Sequence, residues 1–297
     1  MKIFRVIILF VLLTATATSY VYLQSFTGEN ERPLNQSILI KNKTDFNVAF
    51  VFNKTTSEEI NIGEVNKKWQ NKSIHSTEWG ENVTGVKNKI DTNEKVIALT
   101  FDACGGEYGN DYDEELIAFL NKNEIPATLF FNARWIRENE EIFLELADNP
   151  LFSVQNHGTN HLPLSVSGNT AWGIEGTDTV EGVMEEVMEN QRMIEDLTGE
   201  SPQFFRSGTA YYDDVAVEIV SDLGLTVVNY DILGDAGATY SASQVEKALL
   251  ESSSGSIPLL HMNQPSSGTA EGVINAIPIL KKQGYSFVQL DDHILKE

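Results

Sequence analysis

The chain has 297 residues, of which 41% are hydrophobic and 22% are charged, as in a folded protein with one large domain and a small annex. Its net charge of −22 is unevenly placed, because residues 96–297 carry 33 acidic residues against 9 basic ones. Such an acidic domain excludes nucleic acid and anionic lipid as partners and favours neutral or cationic ones. The single cysteine excludes a framework of internal disulfides.

Residues 1–23 have the pattern of an export signal. Lys2 and Arg5 precede an apolar run that starts at Val6, and an Ala-x-Ala triplet follows at Ala15–Ala17. Counted from residue 6 to residue 23, the run reaches about 18 residues, the lower limit for a membrane span. The segment is therefore predicted to be a signal peptide or a membrane anchor, on a protein that is secreted or held at the outer face of a membrane.

Residues 24–93 are rich in Asn, Lys, Ser and Thr, which predicts a polar stalk. The apolar stretches Phe46–Phe52 and Ile60–Val65 predict a small β annex within it, and Trp69 and Trp79 are expected to pack onto the main domain. The segment also contains five Asn-x-Ser/Thr triplets, which would accept glycans in a eukaryotic exported protein and arise by chance in an Asn-rich bacterial segment. They start at Asn35, Asn42, Asn53, Asn71 and Asn82.

The remaining residues, 94–297, alternate between strand and helix patterns. The predicted strands are 96–101, 126–132, 152–156, 203–206, 225–231, 256–261 and 286–290. The predicted helices are 113–121, 136–147, 180–197, 215–223, 245–250 and 270–283. This alternation indicates an α/β fold with a parallel sheet, and about seven repeats favour a (β/α) barrel, complete or incomplete, over an open sheet.

Five predicted strands end in ionisable side chains. These side chains are Asp102, His157 with His161 close behind, Arg206, Asp231 with Asp235 close behind, and His261. Because the carboxyl ends of barrel strands meet at one face, the sequence predicts that they form a single site.

The residue types in this set fit acid–base chemistry. Asp102 is a candidate general base, although a helix cap or a turn would also explain an aspartate there. Arg206 is placed to keep Asp102 ionised and oriented. His261 is a candidate general acid, and either Asp231 or Asp235 is expected to bind its other ring nitrogen.

Two further features favour a metal. His157-Gly-Thr-Asn-His161 has a spacing that can chelate zinc, and a hydrogen-bonded structural pair is the alternative. Cys104 is a metal ligand or a small buried residue, and the sequence leaves both open.

Five short stretches carry a resemblance to a known family. They are Thr100-Phe101-Asp102-Ala103, Asn156-His157-Gly-Thr-Asn-His161, Phe205-Arg206-Ser-Gly-Thr-Ala-Tyr211, Asp231-Ile-Leu-Gly-Asp235 and Leu259-Leu260-His261. In this order, from about Glu94 to Leu290, they resemble the motifs of polysaccharide deacetylases of the NodB-homology type, carbohydrate esterase family four.

The resemblance implies a distorted barrel of about seven strands and a hydrolase that removes N-acetyl groups from an N-acetylglucosamine-containing polysaccharide, peptidoglycan or chitin-like. It implies a divalent metal, zinc or else cobalt or nickel, held by His157 and His161. Asp102 would be the base, steadied by Arg206, and His261 would protonate the leaving amine.

The third motif is implied to bind substrate through Ser207, Gly208, Thr209 and Tyr211, with a backbone N–H there completing an oxyanion site. The glycan is the expected partner, and a monomer is the expected state.

The sequence departs from the family's motifs in several places. The aspartate that completes the metal ligands falls at Ala103, which cannot ligate, so a weak or altered metal site is expected. The third motif lacks its proline and its tyrosine is displaced to Tyr211, and the fourth motif lacks its tryptophan. The stretch Thr-Phe-Asp-Ala-Cys-Gly-Gly is interpreted as the mark of a subgroup.

Three functions stay open at this point. The first is an active deacetylase whose third metal ligand is missing or is supplied by Asp102 or Cys104. The second is a weak or inactive relative that still binds glycans, and the third is a hydrolase of another amide or ester on the same fold. Retention of Asp102, Arg206 and His261 favours the first, because a binding module needs no acid–base pair.

Overall fold

The computed structural model describes residues 62–70, 72 and 74–297, together with the backbone of three strands before them. The chain divides into two compact units, Met1–Glu59 and Ile60–Glu297. In the first unit Tyr20–Tyr22, Ser37–Lys41 and Asn47–Val51 form an antiparallel sheet in that order. Apart from these three strands, the predicted export signal and the stalk up to residue 61 lie outside the described residues. Across the helices that are described, none has both the length and the apolar character needed to cross a bilayer.

The second unit is built on a sheet of seven parallel strands. They are β1 (Thr100–Ala103), β2 (Ala127–Phe131), β3 (Phe152–Asn156), β4 (Phe204–Phe205), β5 (Thr226–Val227), β6 (Ile232–Leu233) and β7 (Pro258–His261). Their order in the sheet is β5-β4-β3-β2-β1-β7-β6. This arrangement confirms the predicted α/β fold with about seven strands.

The sheet is curled because its two outer strands, β5 and β6, follow each other in the chain. Only residues 228–231 separate them, so the two edges lie within the reach of five residue steps, about 17 Å. The strand predicted at 225–231 is therefore too long, since only Thr226–Val227 form a strand there and a second short strand, Ile232–Leu233, follows at the opposite edge. The predicted strand at 286–290 also lies outside this sheet, because Ser286–Phe287 pairs with Val96–Ile97.

In the described part of the second unit, eight helices accompany the sheet. They are α1 (Ile62–Gln70), α2 (Glu114–Lys122), α3 (Ala133–Glu138), α4 (Glu140–Ala147), α5 (Val180–Thr198), α6 (Asp214–Asp222), α7 (Ala242–Leu250) and α8 (Thr269–Lys282). Asp113, Thr179 and Asp213 each accept a hydrogen bond from the third N–H of the helix they precede, which fixes where α2, α5 and α6 begin. The helix predicted at 136–147 is two helices, because the chain turns at Asn139.

Part of the predicted annex belongs to the same unit as the barrel. Trp69 in α1 is buried, and its Nε1 donates to Asp222 Oδ2 at 2.8 Å. Trp79–Gly80 pairs with Tyr212–Asp213, and a further short strand, Lys89–Ile90, pairs with Leu295–Lys296. The strand pattern read at Ile60–Val65 is wrong for Ile62–Val65, which form the first turn of α1.

Strand β1 separates two environments by its alternation of side chains. Leu99, Phe101 and Ala103 are fully buried in the hydrophobic cluster between the sheet and the helices. Thr100 and Asp102 face the other way, into the barrel, where both accept hydrogen bonds from one guanidinium. Successive side chains of a strand point to opposite faces, so this pattern assigns even-numbered residues to the interior.

Candidate active site

The carboxyl ends of β1, β3, β4 and β7 place an acid, two imidazoles and a guanidinium together. Asp102 lies in β1, His157 follows β3, Arg206 follows β4, and His261 ends β7. All four side chains are at least largely buried. The convergence expected from the sequence is therefore present for these residues.

Arg206 and Asp102 form a buried ion pair at the centre of the site. Arg206 Nη1 donates to Asp102 Oδ1 at 2.7 Å and to Thr100 Oγ1 at 3.0 Å. The remaining donors reach backbone oxygens, Nε that of Val228 at 3.2 Å and Nη2 that of Asn229 at 2.9 Å. A buried charge needs such a full set of partners, so the guanidinium fixes Asp102 in one orientation.

Asp102 is ionised in this environment. Burial raises the pKa of its carboxyl, but the charge and hydrogen bond of Arg206, together with the charge of His261, outweigh burial and hold that pKa below its ordinary value. Because Arg206 occupies Oδ1, the second oxygen, Oδ2, is the one that faces the histidines, 3.5 Å from His157 Nε2.

His157 presents an unprotonated nitrogen to the site. Its Nδ1 lies 3.0 Å from the backbone oxygen of Arg206, which can only accept, so the ring proton is on Nδ1. Burial lowers the pKa of His157, which keeps the ring neutral. Nε2 therefore carries a free lone pair, which a metal ligand requires.

His161 stands across from His157, with ring centroids 5.0 Å apart and planes at 87°. Its backbone has φ of +64°, a left-handed conformation that turns the side chain into the site. Its Nε2 is buried and has no hydrogen-bond partner among the described residues. A buried imidazole nitrogen that lacks a partner in the protein indicates that a ligand binds to it.

Cys104 completes a group of three donor atoms. Its Sγ lies 3.8 Å from His157 Nε2, and one donor atom each from Cys104, His157 and His161 lies within 4.8 Å of the others. One thiolate and two imidazoles are soft and borderline ligands of the kind that zinc and cobalt bind. Burial raises the pKa of the thiol, but His161 and His261 outweigh it and bring that pKa to about 6.

The alternation along β1 explains why residue 103 takes no part. Ala103 is fully buried on the helix side with Phe101 and Phe131, whereas Cys104 is the next residue on the side of Asp102. A tight turn follows at Gly105, where φ is +69° and a Cβ would lie 2.5 Å from the backbone nitrogen of Trp135. Cys104, and not Ala103, therefore presents its side chain to the two histidines of this group.

His261 is paired with Asp235. Its Nδ1 lies 2.9 Å from Asp235 Oδ1, and its backbone N–H donates to Oδ2 at 2.7 Å. Burial lowers the pKa of His261, but Asp235 and then Cys104 outweigh burial and raise that pKa well above the ordinary value. His261 is therefore held as an imidazolium with its proton on Nε2 available to the site.

Asp231, the other candidate for this role, lies elsewhere. It accepts hydrogen bonds from Ser256 Oγ at 2.8 Å and from the Ile257 N–H at 2.7 Å, and it pairs with Lys89 at 3.1 Å. Ile257 lies four residues before His261 on an extended strand, about 13 Å away. Asp231 is a structural residue at the opposite end of β7.

The third motif forms a loop against His161. A Cβ on Gly208 would lie 2.4 Å from the His161 ring, so only glycine fits there. The hydroxyl of Thr209 is buried with no partner in the described part of the chain. Ser207 does not supply the expected oxyanion N–H, because that N–H donates to Tyr212 Oη at 2.9 Å.

One buried residue in the site escaped the sequence analysis. Glu186 in α5 is only 2% exposed, and its carboxylate accepts hydrogen bonds from the N–H groups of Asn160 and Leu162 at 2.9–3.2 Å. These residues flank His161, so Glu186 holds the loop that carries it. Its position between Val183 and Val187 on the apolar side of α5 was the available signal.

Comparisons with known proteins agree with this geometry. The family model for polysaccharide deacetylase matches residues 89–228. The chain is 27% identical over 209 residues to the peptidoglycan-N-acetylmuramic acid deacetylase PdaA of Bacillus subtilis, covering 68% of this chain and 72% of PdaA. It is 25% identical over 210 residues to a peptidoglycan-N-acetylglucosamine deacetylase of Bacillus cereus, covering 69% of this chain and 90% of that one.

Solved structures share the fold. The structure of PdaA superposes with a TM-score of 0.58 at 21% identity, covering 78% of this chain and 88% of PdaA. BA3943 of Bacillus anthracis, described as a pseudoenzyme of carbohydrate esterase family four, gives 0.59 at 22% identity, covering 72% and 70% of the two chains. The chain is thus similar to polysaccharide deacetylases over residues 89–228, and it shares the fold of solved structures of carbohydrate esterase family four.

Proposed function

We propose that this protein hydrolyses N-acetyl groups from N-acetylglucosamine-containing polysaccharide, with a divalent metal held by Cys104, His157 and His161. The observation that carries the proposal is that these three possible metal ligands lie beside two ion pairs, one of which contains a base and the other an acid. Asp102 is ionised beside Arg206, and His261 is protonated beside Asp235. A site that only binds glycan has no use for a base and an acid of opposite charge placed around a set of ligands.

The chemistry follows from these charge states. When bound, a zinc-like ion polarises the acetyl carbonyl as a Lewis acid and favours a hydroxide-like nucleophile at neutral pH. Asp102 Oδ2, the oxygen that Arg206 leaves free, accepts a proton from the attacking water while the water oxygen bonds to the acetyl carbon. The carbon–nitrogen bond then breaks, and His261 Nε2 gives its proton to the leaving amine, which yields acetate and a free amino sugar.

The substrate class rests on the relatives. The two curated relatives described above act on muramic acid and glucosamine residues of peptidoglycan, and we propose peptidoglycan or a chitin-like glycan for this chain. We further propose that the protein works outside the cytoplasmic membrane, secreted or anchored by residues 6–23, because their pattern is that of an export signal.

A second function has an observation in its favour. Cys104 has a lowered pKa and interacts with His261, which is itself bound to Asp235. Thiol, imidazole and carboxylate in series are the components of a cysteine hydrolase. In that case Cys104 Sγ would bond to the acyl carbon, and the carbon–nitrogen bond would break as His261 protonates the leaving amine. Water would then hydrolyse the thioester to acetate and restore the thiol, and no metal would be needed.

Metal dependence separates the two. We would measure acetate release from N-acetylglucosamine oligomers and from peptidoglycan, with the full-length protein stripped by a chelator and then reloaded with zinc or cobalt. The proposal expects activity to vanish on stripping and to return with either metal. Activity that is indifferent to chelation, and is abolished by a thiol alkylating agent, would establish the cysteine hydrolase instead.

Substitution of Cys104 provides the matched control. Cys104→Asp keeps an anionic ligand and is expected to retain bound metal and measurable activity, whereas Cys104→Ala should lose most of both. Loss of activity in both variants while both still bind zinc as well as the wild type would contradict the ligand role. Binding of glycan without acetate release at any metal concentration would identify a pseudoenzyme.

A further inference from the structure

Three aromatic side chains from separate parts of the chain meet beside the third-motif loop. The rings of Trp79 and Tyr211 lie 5.7 Å apart at 50°, and those of Tyr211 and Trp172 lie 5.9 Å apart at 86°. Trp79 comes from the strand Trp79–Gly80, and Trp172 from the tip of the hairpin formed by Thr170–Ala171 and Ile174–Glu175. We call Trp79, Tyr211 and Trp172 the aromatic platform.

Trp172 is held out to solvent by its backbone. It is 76% exposed, and its φ of +54° is left-handed, a conformation unfavourable for a bulky side chain by roughly 1–3 kcal/mol. The hairpin is tied down on both sides, since Gly176 N–H donates to Asn169 and Thr177 N–H donates to Pro163. A large apolar ring in a strained, fixed and exposed position contributes little to the core, which points to a ligand.

The aromatic platform is adjacent to the candidate active site. Tyr211 belongs to the same loop as Gly208, which packs directly against the ring of His161. The backbone oxygen of Tyr211 accepts from Ser207 Oγ at 3.1 Å and from the Leu164 N–H at 3.0 Å, so the loop between them is compact. A polymer whose reacting unit lies at His161 would extend across these rings.

The charge of the domain indicates which class of ligand the aromatic platform binds. Flat aromatic faces bind pyranose rings and also nucleobases, but the 33 acidic and 9 basic residues of 96–297 exclude a nucleic acid. We propose that the aromatic platform is a subsite that stacks on a sugar ring of the same glycan strand, next to the unit that is deacetylated. This inference rests on the proposed function for the identity of the strand.

The test is binding, measured without catalysis. Metal-stripped full-length protein is titrated with the hexamer of N-acetylglucosamine and with the monomer by calorimetry, because the monomer fills the reacting position without reaching the platform. Loss of one aromatic stacking contact in Trp172→Ala should lower the ratio of hexamer to monomer affinity about tenfold. Trp172→Phe, which keeps a flat ring, should lower it less. Ile294→Ala removes another exposed apolar side chain (79% exposed) and should leave the ratio unchanged.

The proposal that the aromatic platform binds a sugar ring would be overturned if the affinity ratio were unchanged in Trp172→Ala, or if it fell equally in Ile294→Ala. So would a wild type that binds the hexamer no better than the monomer. The proposed function is judged separately, by acetate release from the wild type. A protein without deacetylase activity that still loses hexamer binding in Trp172→Ala would keep the subsite and refute the reaction.

Discussion

Cys104 and Asp102 lie two residues apart on one face of the first barrel strand, and Cys104 Sγ is 3.8 Å from Nε2 of His157. The residue between them, Ala103, is buried on the opposite face. A shift of a ligand by one residue normally moves it across the sheet. Here β1 ends at Ala103 and the turn at Gly105 follows immediately, so Cys104 occupies the edge of the site.

Restoring an acid at position 103 should therefore harm the protein. In Ala103→Asp a carboxylate would be buried among Phe101 and Phe131 without a partner, at a cost of roughly 3–5 kcal/mol in the free energy of unfolding. Zinc stoichiometry should not rise. Urea unfolding and metal analysis check both, with Ala103→Ser as an uncharged control that loses less. A stable variant that binds zinc more tightly would show that position 103 faces the site.

Asp102→Asn should remove the base while leaving the fold in place. The amide oxygen can still accept from Arg206, so the guanidinium keeps a partner, but the side chain no longer takes up a proton. We expect acetate release to fall about 10²–10⁴-fold. Zinc content and the unfolding midpoint should stay close to the wild type. Turnover at the wild-type rate would mean that another group is the base.

Asp235→Asn should change the pH dependence of the reaction. His261 acts when protonated, and Asp235 raises its pKa, so the activity of the wild type should persist to a pH above the ordinary histidine value before it declines. Without the carboxylate the pKa of His261 falls, and the alkaline decline should move to lower pH. Rates measured across the pH range check this.

Asp231→Asn is the matched control for that experiment. It removes charge from a carboxylate bound to Ser256 and Lys89, so it should lower the free energy of unfolding by about 1 kcal/mol and leave the pH profile where it was. If Asp231→Asn shifts the alkaline decline and Asp235→Asn does not, the two assignments are reversed.

Glu186 should be required for metal affinity without touching the metal. Glu186→Ala frees the N–H groups of Asn160 and Leu162 and with them the left-handed turn at His161, so zinc affinity should drop about 10–100-fold. Glu186→Gln keeps an accepting oxygen and should recover part of it. Chelator competition measures the affinity, and the absorption spectrum of the cobalt form reports the ligand geometry. Glu185→Gln, an exposed neighbour, should change neither.

More of the fold than of the candidate site could be predicted from the sequence. The strand ends at Asp102, His157, Arg206 and His261 could be found from periodicity alone, because the parallel sheet brings such ends together. The same period of two, carried one step further, assigns Cys104 to the face of Asp102 and Ala103 to the other.

Other features depend on tertiary contacts that no local pattern contains. Asp231 and Asp235 are equally suitable in sequence, and they are separated only by the short strand Ile232–Leu233, whose pairing with Pro258 and Leu259 leaves them near opposite ends of β7. The position of Glu186 on the apolar side of α5 indicates burial, but its contact with the loop of Asn160 and Leu162 depends on how α5 packs. Trp172 gave no signal, since its role depends on Tyr211 coming beside it.

The guanidinium of Arg206 has a consequence for how the protein would fail under stress. It holds Asp102 on one side and the backbone oxygens of Val228 and Asn229 on the other, and these two residues belong to the short segment that bridges the outer strands of the sheet. One guanidinium therefore holds both the ionised carboxylate and the segment that joins the two outer strands of the sheet, which we call the seam of the barrel. Mild denaturant that loosens the seam would release Asp102 first, so activity should disappear while the hydrophobic clusters are still intact.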